Sequence, residues 1–368
     1  MSKDSKFRLF IAAGGTGGHL FPALAVVEEI HSILQENFEA HFVGNANKIE
    51  ARIVPSKGYK FNSIPITGFT GINFNAFFLP FKIFLSISKC RKIISNFKPD
   101  AVLCTGAYIS YPAGIASSIM GVPLILMESN VNPGKTIRLL SPRASIIFTS
   151  FEETSKYFSN AIQSRIKYIG NPIRKDIMEK RDKKQAAEEF GLNPFKKTVL
   201  IFGGSLGAKS INIAVENNLE LFANTDVQYI WQTGNNFEHK KPIPKNFKVL
   251  KFIDDMASAY SIADLVISRA GATTIAEITA IGKPSILIPL ASASNNEQFL
   301  NAKYLEDKGA SLMLHNEDLS NKIFEIITKL IDDDEKLNRI SKQALSLGTP
   351  ESGKLIAKFI IENYYLSK

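Results

Sequence analysis

Short apolar runs alternate with amphipathic stretches along the first half of the chain. Stretches such as Pro22–Gln35 have apolar residues at helical spacing, which predicts helices between the runs. Alternation of strand and helix is typical of a parallel sheet covered by helices on both faces. The predicted strands are Phe7–Ala13, Ala40–Gly44, Phe61–Ile66, Ala101–Thr105, Leu124–Met127 and Ile146–Ser150.

The pattern breaks near Gly170-Asn171-Pro172 and then starts again. A polar, lysine-rich helical stretch, Arg181–Phe190, precedes the second series, which ends with the helical segments Asn321–Leu330 and Lys354–Tyr364. We therefore predict one domain over residues 1–170 and a second over 171–350, with segment 351–368 packing back on the first. The second predicted series of strands is Thr198–Phe202, Tyr229–Gln232, Lys248–Phe252, Asp264–Ser268, Ser285–Pro289 and Ser311–Leu314.

Size and composition agree with two globular domains. The chain has 368 residues, of which 45% are hydrophobic and 21% charged. Only Cys90 and Cys104 occur, so no disulfide framework is predicted, which suits a reducing cytosol. No signal peptide is recognised and no apolar run reaches the roughly 20 residues that span a bilayer. We expect a cytoplasmic protein.

The net charge of +9 favours an anionic partner. The basic residues are dispersed, and the sequence has neither an aromatic RNA-binding signature nor zinc-finger spacing. We therefore expect a phosphorylated ligand or an anionic lipid surface and no nucleic acid.

Two glycine-rich turns carry the strongest chemical signal. One lies in Ala12–His19 and the other in Ile201–Ala208, and each joins a predicted strand to a predicted helix. Glycine lets backbone N–H groups approach a ligand, and a helix start favours an anion. Ligands of open parallel sheets bind beyond the carboxyl ends of the strands. The sequence thus predicts two domains that face one phosphorylated ligand across a cleft.

Two common nucleotide-binding classes fit poorly. A dinucleotide-dependent oxidoreductase needs G-x-G-x-x-G and an acidic residue after the second strand, whereas position 20 is Leu20 and that strand ends at Gly44-Asn45. A P-loop NTPase needs G-x-x-x-x-G-K-[ST], which neither turn supplies.

Five motifs in order resemble the MurG family of GT-B glycosyltransferases over essentially the whole chain. This resemblance implies two Rossmann-like domains and inverting transfer of N-acetylglucosamine (GlcNAc) from UDP-GlcNAc to lipid I, which is undecaprenyl-pyrophosphoryl-MurNAc-pentapeptide. The product would be lipid II of peptidoglycan, with a β-1,4 linkage. The motifs are Gly14–His19, Gly170–Arg174, Gly203–Ala208, Phe252–Met256 and Arg269–Glu277.

His19 is the predicted catalytic base. An attacking sugar hydroxyl must lose its proton, and an imidazole accepts protons near neutral pH. Thr16, Gly17 and Gly18 form the predicted phosphate-facing turn beside it. The resemblance allows either the donor diphosphate or the acceptor pyrophosphate at this turn, and both remain open.

The other donor contacts are assigned by the resemblance together with side-chain chemistry. Ser205 is expected at the UDP phosphates, the Ile253 backbone at the uracil and Glu277 at the two ribose hydroxyls. No D-x-D pair of the kind that chelates a metal-bound nucleotide sugar is recognised, so no metal cofactor is expected, and Asp254-Asp255 are predicted to cap a helix near Met256. The remaining predicted donor residues are Asn130, Arg174, Ala272, Thr273 and Gln298.

Two positions depart from the family pattern. Met127-Glu128-Ser129-Asn130 stands where the family commonly has His-Glu-Gln-Asn, which puts a functional role for Met127 and Ser129 in question. Gly106-Ala107-Tyr108 replaces the usual Gly-Gly-Tyr of the loop on the acceptor side, where Tyr108 is the predicted contact. The added methyl is acceptable unless that backbone needs a positive φ.

A phenylalanine-rich segment beside basic residues predicts contact with an anionic membrane. Its predicted contact residues are Phe77, Phe78, Phe81, Lys82 and Phe84, and Pro80 is expected to interrupt any single helix there. With a lipid-linked acceptor, the expected location is peripheral, on the cytoplasmic face of the inner membrane.

Three other functions remain as alternatives. A transferase of the same fold could use a diacylglycerol or sterol acceptor. A UDP-GlcNAc 2-epimerase has similar architecture, and a non-catalytic sugar-nucleotide sensor would retain only binding.

Overall fold

The computed structural model describes residues 6–66, 79–290 and 296–367. The chain forms two compact units. The first unit holds the residues up to Ile173 together with those from Glu351 onward, and the second unit runs from Arg174 to Pro350.

The first unit contains a parallel sheet of seven strands among its described residues. The strand order is β3-β2-β1-β4-β5-β6-β7, so β1 lies inside the sheet with β2 on one side and β4 on the other. The strands are β1 (Phe7–Ala12), β2 (Phe38–Gly44), β3 (Lys60–Ser63), β4 (Ala101–Cys104), β5 (Leu124–Glu128), β6 (Ile146–Thr149) and β7 (Ile166–Tyr168).

Helices cover both faces of this sheet. Short 3₁₀ helices lie at Gln35–Asn37, Ser141–Arg143 and Glu152–Tyr157. The α-helices are α1 (Gly17–Leu34), α2 (Glu50–Ser56), α3 (Leu79–Phe97), α4 (Ser110–Ile119), α5 (Lys135–Leu140), α6 (Asn160–Gln163) and, from the C-terminal end, α15 (Ser352–Tyr364).

The central strand β1 shows why its sequence is apolar at nearly every position. Phe7, Leu9 and Ile11 pack into a core with α1 and α15, whereas Phe10 and Ala12 pack into a second core with α3 and α4. A strand that is buried on both faces has no solvent side, so it loses the alternation of polar and apolar residues.

The second unit repeats the design, and its described residues form six parallel strands in the order β10-β9-β8-β11-β12-β13. The strands are β8 (Thr198–Phe202), β9 (Gln228–Gln232), β10 (Phe247–Leu250), β11 (Leu265–Arg269), β12 (Ser285–Ile288) and β13 (Leu312–Met313). The helices are a 3₁₀ helix at Lys175–Met178, α7 (Lys183–Phe190), α8 (Lys209–Asn217), α9 (Leu219–Ala223), α10 (Met256–Ile262), α11 (Ala272–Ala280), α12 (Glu297–Asp307), α13 (Leu319–Ile331) and α14 (Asp334–Leu347).

Two details of the first unit differ from the sequence predictions. The edge strand β7 was not predicted, because its three residues are largely exposed and give no apolar run. Helix α1 begins at Gly17, five residues before Pro22, because the second half of the glycine turn forms its first helical turn. The described part of α3 begins at Leu79, directly before Pro80, and the preceding residues on which the predicted interruption at Pro80 depends lie outside the described residues.

Candidate functional site

The first glycine loop (residues 14–19) follows β1 and is held by a buried carboxylate. Glu50 is fully buried, and its Oε2 accepts the Gly15 N–H at 2.8 Å while its Oε1 accepts the Asn45 N–H at 2.8 Å. A Cβ at Gly14 would lie 2.3 Å from the Glu50 Cδ, so only glycine fits there. The Gly15 N–H is therefore already occupied, and sequence reasoning missed Glu50 because it lies 35 residues away.

The residues that follow form the start of α1. Thr16 is at the N-cap position, is exposed, and makes no capping hydrogen bond with its side chain. Gly17 and Gly18 occupy the first turn of this helix. The predicted turn residues thus lie together at a helix N-terminus, a location that favours an anion.

His19 completes this loop and is oriented by a backbone carbonyl. Its Nδ1 lies 2.7 Å from the Thr105 carbonyl oxygen, just beyond β4. Since a carbonyl only accepts, Nδ1 carries the hydrogen and Nε2 keeps its lone pair. Burial lowers the pKa of His19 from its ordinary value of 6.5, against the opposing effect of the Thr105 hydrogen bond. The imidazole is therefore neutral at pH 7 and able to accept a proton at Nε2.

Tyr108 lies beside the same loop. Its ring would be 3.3 Å from a Cβ at Gly15, and burial raises its pKa with a further contribution from Glu50. Gly106 has a φ of +89°, whereas Ala107 is not among the residues with positive φ. The position that requires glycine is therefore retained, and the extra methyl of Ala107 is accommodated without backbone strain.

Asn130 is positioned by the buried Glu128 that ends β5. The Glu128 Oε1 accepts the Asn130 N–H at 2.8 Å and its side-chain Nδ2 at 3.3 Å, while Oε2 accepts the Gly134 N–H at 2.9 Å. Met127 lies in the hydrophobic core, and the Ser129 hydroxyl donates to Asn171 at 3.1 Å. The two positions that depart from the family pattern thus serve packing and loop structure here.

The second glycine loop (residues 203–208) follows β8 and is held by a neutral amide. The buried Gln232 donates from Nε2 to the Gly204 carbonyl at 2.9 Å, and its Oε1 accepts the Ile253 N–H at 3.0 Å. The Ile253 N–H is therefore already hydrogen-bonded. Of the Ile253 backbone groups that are predicted to meet the uracil, the carbonyl is the one that remains. Gln232 was missed because a single amide at a strand end belongs to no motif.

The tip of the second loop is open to solvent. Ser205 is exposed, and its neighbour Leu206 is 81% exposed. Helix α8 begins a few residues later at Lys209. The Ser205 hydroxyl and this helix start are thus accessible to a ligand.

A buried arginine lies at the carboxyl end of β11, the strand next to β8. Arg269 ends β11, is 9% exposed and donates to the carbonyls of Ile288 and Pro289 and to the Asn316 and Ser210 side chains. All these acceptors are neutral, and no acidic side chain in the described part of the chain pairs with it. Burial lowers the pKa of Arg269 to about 10, so it remains charged. The second loop therefore has an uncompensated positive charge near it, whereas the first has a buried carboxylate.

Glu277 on α11 and Arg174 are both predicted to bind the UDP-GlcNAc donor, and they lie in one group of side chains. The Tyr260 Oη donates to the Glu277 Oε2 at 3.0 Å, and the Arg174 Nη2 lies 3.8 Å from Oε1. Arg174 also lies 3.6 Å from Asp176. Burial raises the pKa of Glu277 to about 7, although Arg174 and Tyr260 oppose this effect. Tyr260 was not predicted, because an apolar-looking helix face gave no chemical signal.

The remaining residues that are predicted to bind the UDP-GlcNAc donor lie near the starts of helices. Ala272 and Thr273 form the first turn of α11, whose N-terminus follows β11. The Gln298 Oε1 accepts the Leu290 N–H at 3.0 Å, which leaves its amide Nε2 to donate to a ligand. The prediction of a cap at Asp254-Asp255 is confirmed for Asp255, which accepts the Ser258 N–H at 3.0 Å.

Helix α3 exposes aromatic residues next to basic ones. Phe81 is 61% and Phe84 is 67% exposed, Leu85 is also exposed, and Lys82 is half-buried between them. Phe77 and Phe78 lie outside the described residues. No helix in the described part of the chain is long and apolar enough to cross a membrane.

Two parallel-sheet α/β units, each with a glycine loop at the carboxyl end of an interior strand, have the architecture of the GT-B class of nucleotide-sugar enzymes. Comparison with known proteins agrees with this class. Residues 9–149 match the Glycosyltransferase family 28 N-terminal domain, and residues 198–356 match its C-terminal domain. The chain belongs to glycosyltransferase family 28.

Individual relatives agree along nearly the whole chain. Two proteins named UDP-N-acetylglucosamine–N-acetylmuramyl-(pentapeptide) pyrophosphoryl-undecaprenol N-acetylglucosamine transferase are similar to it. The one from Thermodesulfovibrio yellowstonii is 39% identical over 95% of this chain and 96% of its own length. The one from Bacteroides fragilis is 38% identical over 96% and 95%. The crystal structure of Acinetobacter baumannii MurG superposes with a TM-score of 0.74 at 26% identity, covering 97% of this chain and 99% of that one. The predicted fold class and family resemblance are confirmed.

Proposed function

We propose that this protein transfers GlcNAc from UDP-GlcNAc to the MurNAc of lipid I with inversion, forming the β-1,4 linkage of lipid II. The names and the coverage of the relatives support the substrates. The observation that carries the chemistry is the His19 hydrogen bond to the Thr105 carbonyl, because it leaves Nε2 as a neutral base.

The second unit is the proposed donor-binding half. Glu277 would accept the ribose hydroxyls with Arg174 beside it, and the Ile253 carbonyl would accept from the uracil. Ser205 and the start of α8 would bind the diphosphate, since a helix N-terminus carries about half a positive charge. The uncompensated charge of Arg269 favours this placement, because a bound diphosphate would act as its counterion.

The first unit is the proposed acceptor-binding half. Its glycine loop is held by the carboxylate of Glu50 on α2, which disfavours a second diphosphate directly against Gly15. We therefore assign the start of α1 at Thr16, Gly17 and Gly18 to a more distant phosphate of the acceptor, with Tyr108 beside it. Asn130, fixed by Glu128, would contact the GlcNAc moiety, as would the Gln298 amide.

The proposed reaction is a single displacement. The C4 hydroxyl of MurNAc attacks the anomeric carbon of GlcNAc from the side opposite UDP, and its proton passes to the His19 Nε2. The bond from the anomeric carbon to the phosphate oxygen breaks, and UDP leaves with the electron pair. Backbone N–H groups and Arg269 would stabilise the departing charge, so the proposal requires no metal.

One assay separates this function from its alternatives. Purified protein with labelled UDP-GlcNAc and a lipid I analogue should give a labelled lipid-linked disaccharide, with an excess of chelator present. UDP-N-acetylmannosamine formed without acceptor would identify an epimerase instead, and a product with diacylglycerol would identify another transferase. Binding of UDP-GlcNAc with no product from any acceptor would indicate a sensor.

We further propose that α3 attaches the protein to the cytoplasmic face of an anionic inner membrane. Phe81, Phe84 and Leu85 are spaced three and four residues apart, so they share one helix face, and the exposed Lys89 and Lys92 follow further along. Apolar rings next to basic groups bind interfaces that carry negative charge.

Vesicle sedimentation tests the membrane proposal. The protein should bind vesicles containing anionic lipid, and bind less to neutral vesicles or at high salt. Phe84→Ser should weaken binding several-fold. The matched control is Phe195→Ser, which removes a ring that is 84% exposed on the second unit and should change nothing. Equal binding by Phe84→Ser and the wild type would contradict the proposal.

A further inference from the structure

We infer that Tyr260 is a positioning residue that holds the Glu277 carboxylate in the orientation that accepts the ribose hydroxyls of the UDP donor. This inference rests on the proposed function and adds a residue that touches no substrate.

The first support is the burial of the phenol. Tyr260 is 1% exposed, and its Oη donates to the Glu277 Oε2 at 3.0 Å. A buried tyrosine hydroxyl needs a hydrogen-bond partner, and Glu277 is the partner in this structure. The edge of the ring packs against Phe202 of β8 with centroids 6.2 Å apart, so the hydroxyl has a fixed position.

The second support is the rigidity of the helix that carries the tyrosine. Asp255 caps α10 through the N–H and the hydroxyl of Ser258, at 3.0 and 2.9 Å. Its carboxylate also lies 3.9 Å from the Arg181 guanidinium. A capped short helix keeps its first turn in place, and Tyr260 lies one turn further on.

The third support is the number of acceptor positions left on Glu277. A carboxylate has about four lone-pair positions. Tyr260 uses one on Oε2, and Arg174 faces Oε1 at 3.8 Å, which is too long for a hydrogen bond. Two hydroxyls of a ribose can therefore still be accepted, provided that the carboxylate plane does not rotate. Tyr260 is the group that prevents the rotation.

The charges around Glu277 give a pH signature. Burial raises the pKa of Glu277 to about 7, Arg174 and the Tyr260 hydroxyl lower it, and Asp176 raises it slightly. Only the ionised carboxylate offers all its lone pairs to the ribose, so donor binding should strengthen as pH rises through this pKa. Removing the phenol removes one lowering effect, which moves the midpoint of binding to higher pH.

The test is Tyr260→Phe in the full chain, with UDP and 2′-deoxy-UDP as probes in calorimetry between pH 6 and 9. Wild type should bind UDP about 10-fold more tightly than the deoxy compound, as expected for one hydrogen bond to a charged group. In the variant this ratio should fall to about 3-fold or less, and the pH midpoint should rise. The kcat at saturating UDP-GlcNAc should change much less than the KM for UDP-GlcNAc.

The matched control is Tyr229→Phe. Tyr229 is also fully buried in the second unit, and its hydroxyl lies 3.1 Å from the Thr225 hydroxyl, away from Glu277. This variant should keep the wild-type ratio and the wild-type midpoint. Should Tyr260→Phe not fold, Phe202→Leu, which loosens the ring but keeps the phenol, should lower the ratio in the same direction.

Two results would overturn the inference. The first is a Tyr260→Phe protein that retains the full preference for UDP and the wild-type pH midpoint. The second is a Tyr260→Phe protein that binds both ligands equally more weakly, as a merely structural role predicts. A wild-type protein that binds UDP and 2′-deoxy-UDP equally would instead contradict the ribose assignment to Glu277. A wild type that does not bind UDP at all would contradict the proposed function itself.

Discussion

The buried carboxylate of Glu50 provides the sharpest prediction for stability and turnover together. Glu50→Gln keeps the size of the side chain but replaces one carboxylate oxygen by an NH₂ group. One of the two acceptors, for Gly15 N–H or Asn45 N–H, then becomes a donor that faces a donor. The variant loses one hydrogen bond to a charged group and weakens the other to a neutral one.

The magnitude follows from those two bonds. A hydrogen bond to a charged group contributes about 1.5–3 kcal/mol and a neutral one about 1 kcal/mol. Losing the first and weakening the second should lower the free energy of unfolding of the first unit by about 2–4 kcal/mol. For a unit of this size each kcal/mol shifts Tm by about 2–4 °C, so Tm should fall by about 5–15 °C.

Calorimetry of the two unfolding transitions and the transfer assay together check this prediction. The transition of the first unit should shift while that of the second stays, and turnover should fall by at least ~10-fold, because a displacement of about 1 Å near the reacting groups is enough for such a loss. Glu36→Gln is the control, since Glu36 is exposed and its variant should stay within about 0.5 kcal/mol of wild type. A Glu50→Gln protein with unchanged Tm and turnover would show that the carboxylate does not hold the loop.

Three further predictions concern the other groups. His19→Ala should retain UDP binding while turnover falls by about 10²–10⁴-fold, and unchanged turnover would remove His19 from the mechanism. In the wild type, the acid limb of the pH profile of kcat/KM should lie below pH 6.5, because burial lowers the pKa of His19. Glu277→Gln should stabilise the ligand-free second unit by roughly 1–3 kcal/mol at pH 8 and should have no effect at pH 4. The reason is that burial raises the folded-state pKa of Glu277 from 4.5 to about 7, so the wild type loses stability as pH rises through that range. Thermal unfolding at both pH values measures this difference, and the absence of any gain at pH 8 would argue against a raised pKa. Arg269→Met should weaken UDP binding more than uridine binding, as calorimetry with both ligands would show, and equal losses would indicate that its charge does not act on the phosphates.

Local patterns determined most of the architecture. The two series of apolar runs predicted the central strands, because each strand is buried on both faces and so must be apolar throughout. The glycine turns predicted a loop from strand to helix in each unit, and Asp255 predicted a helix start. These features depend on neighbouring residues, so they can be recognised in the sequence alone.

The groups that hold the site were decided by tertiary structure. Glu50 braces a loop 35 residues away, Gln232 connects the Gly204 carbonyl to the Ile253 N–H, and Tyr260 reaches Glu277 on another helix. Each is a single polar residue that belongs to no recognisable motif. The chain specifies such partners through the packing of distant elements, because a buried donor or acceptor is tolerated only where the fold brings its counterpart within hydrogen-bonding distance.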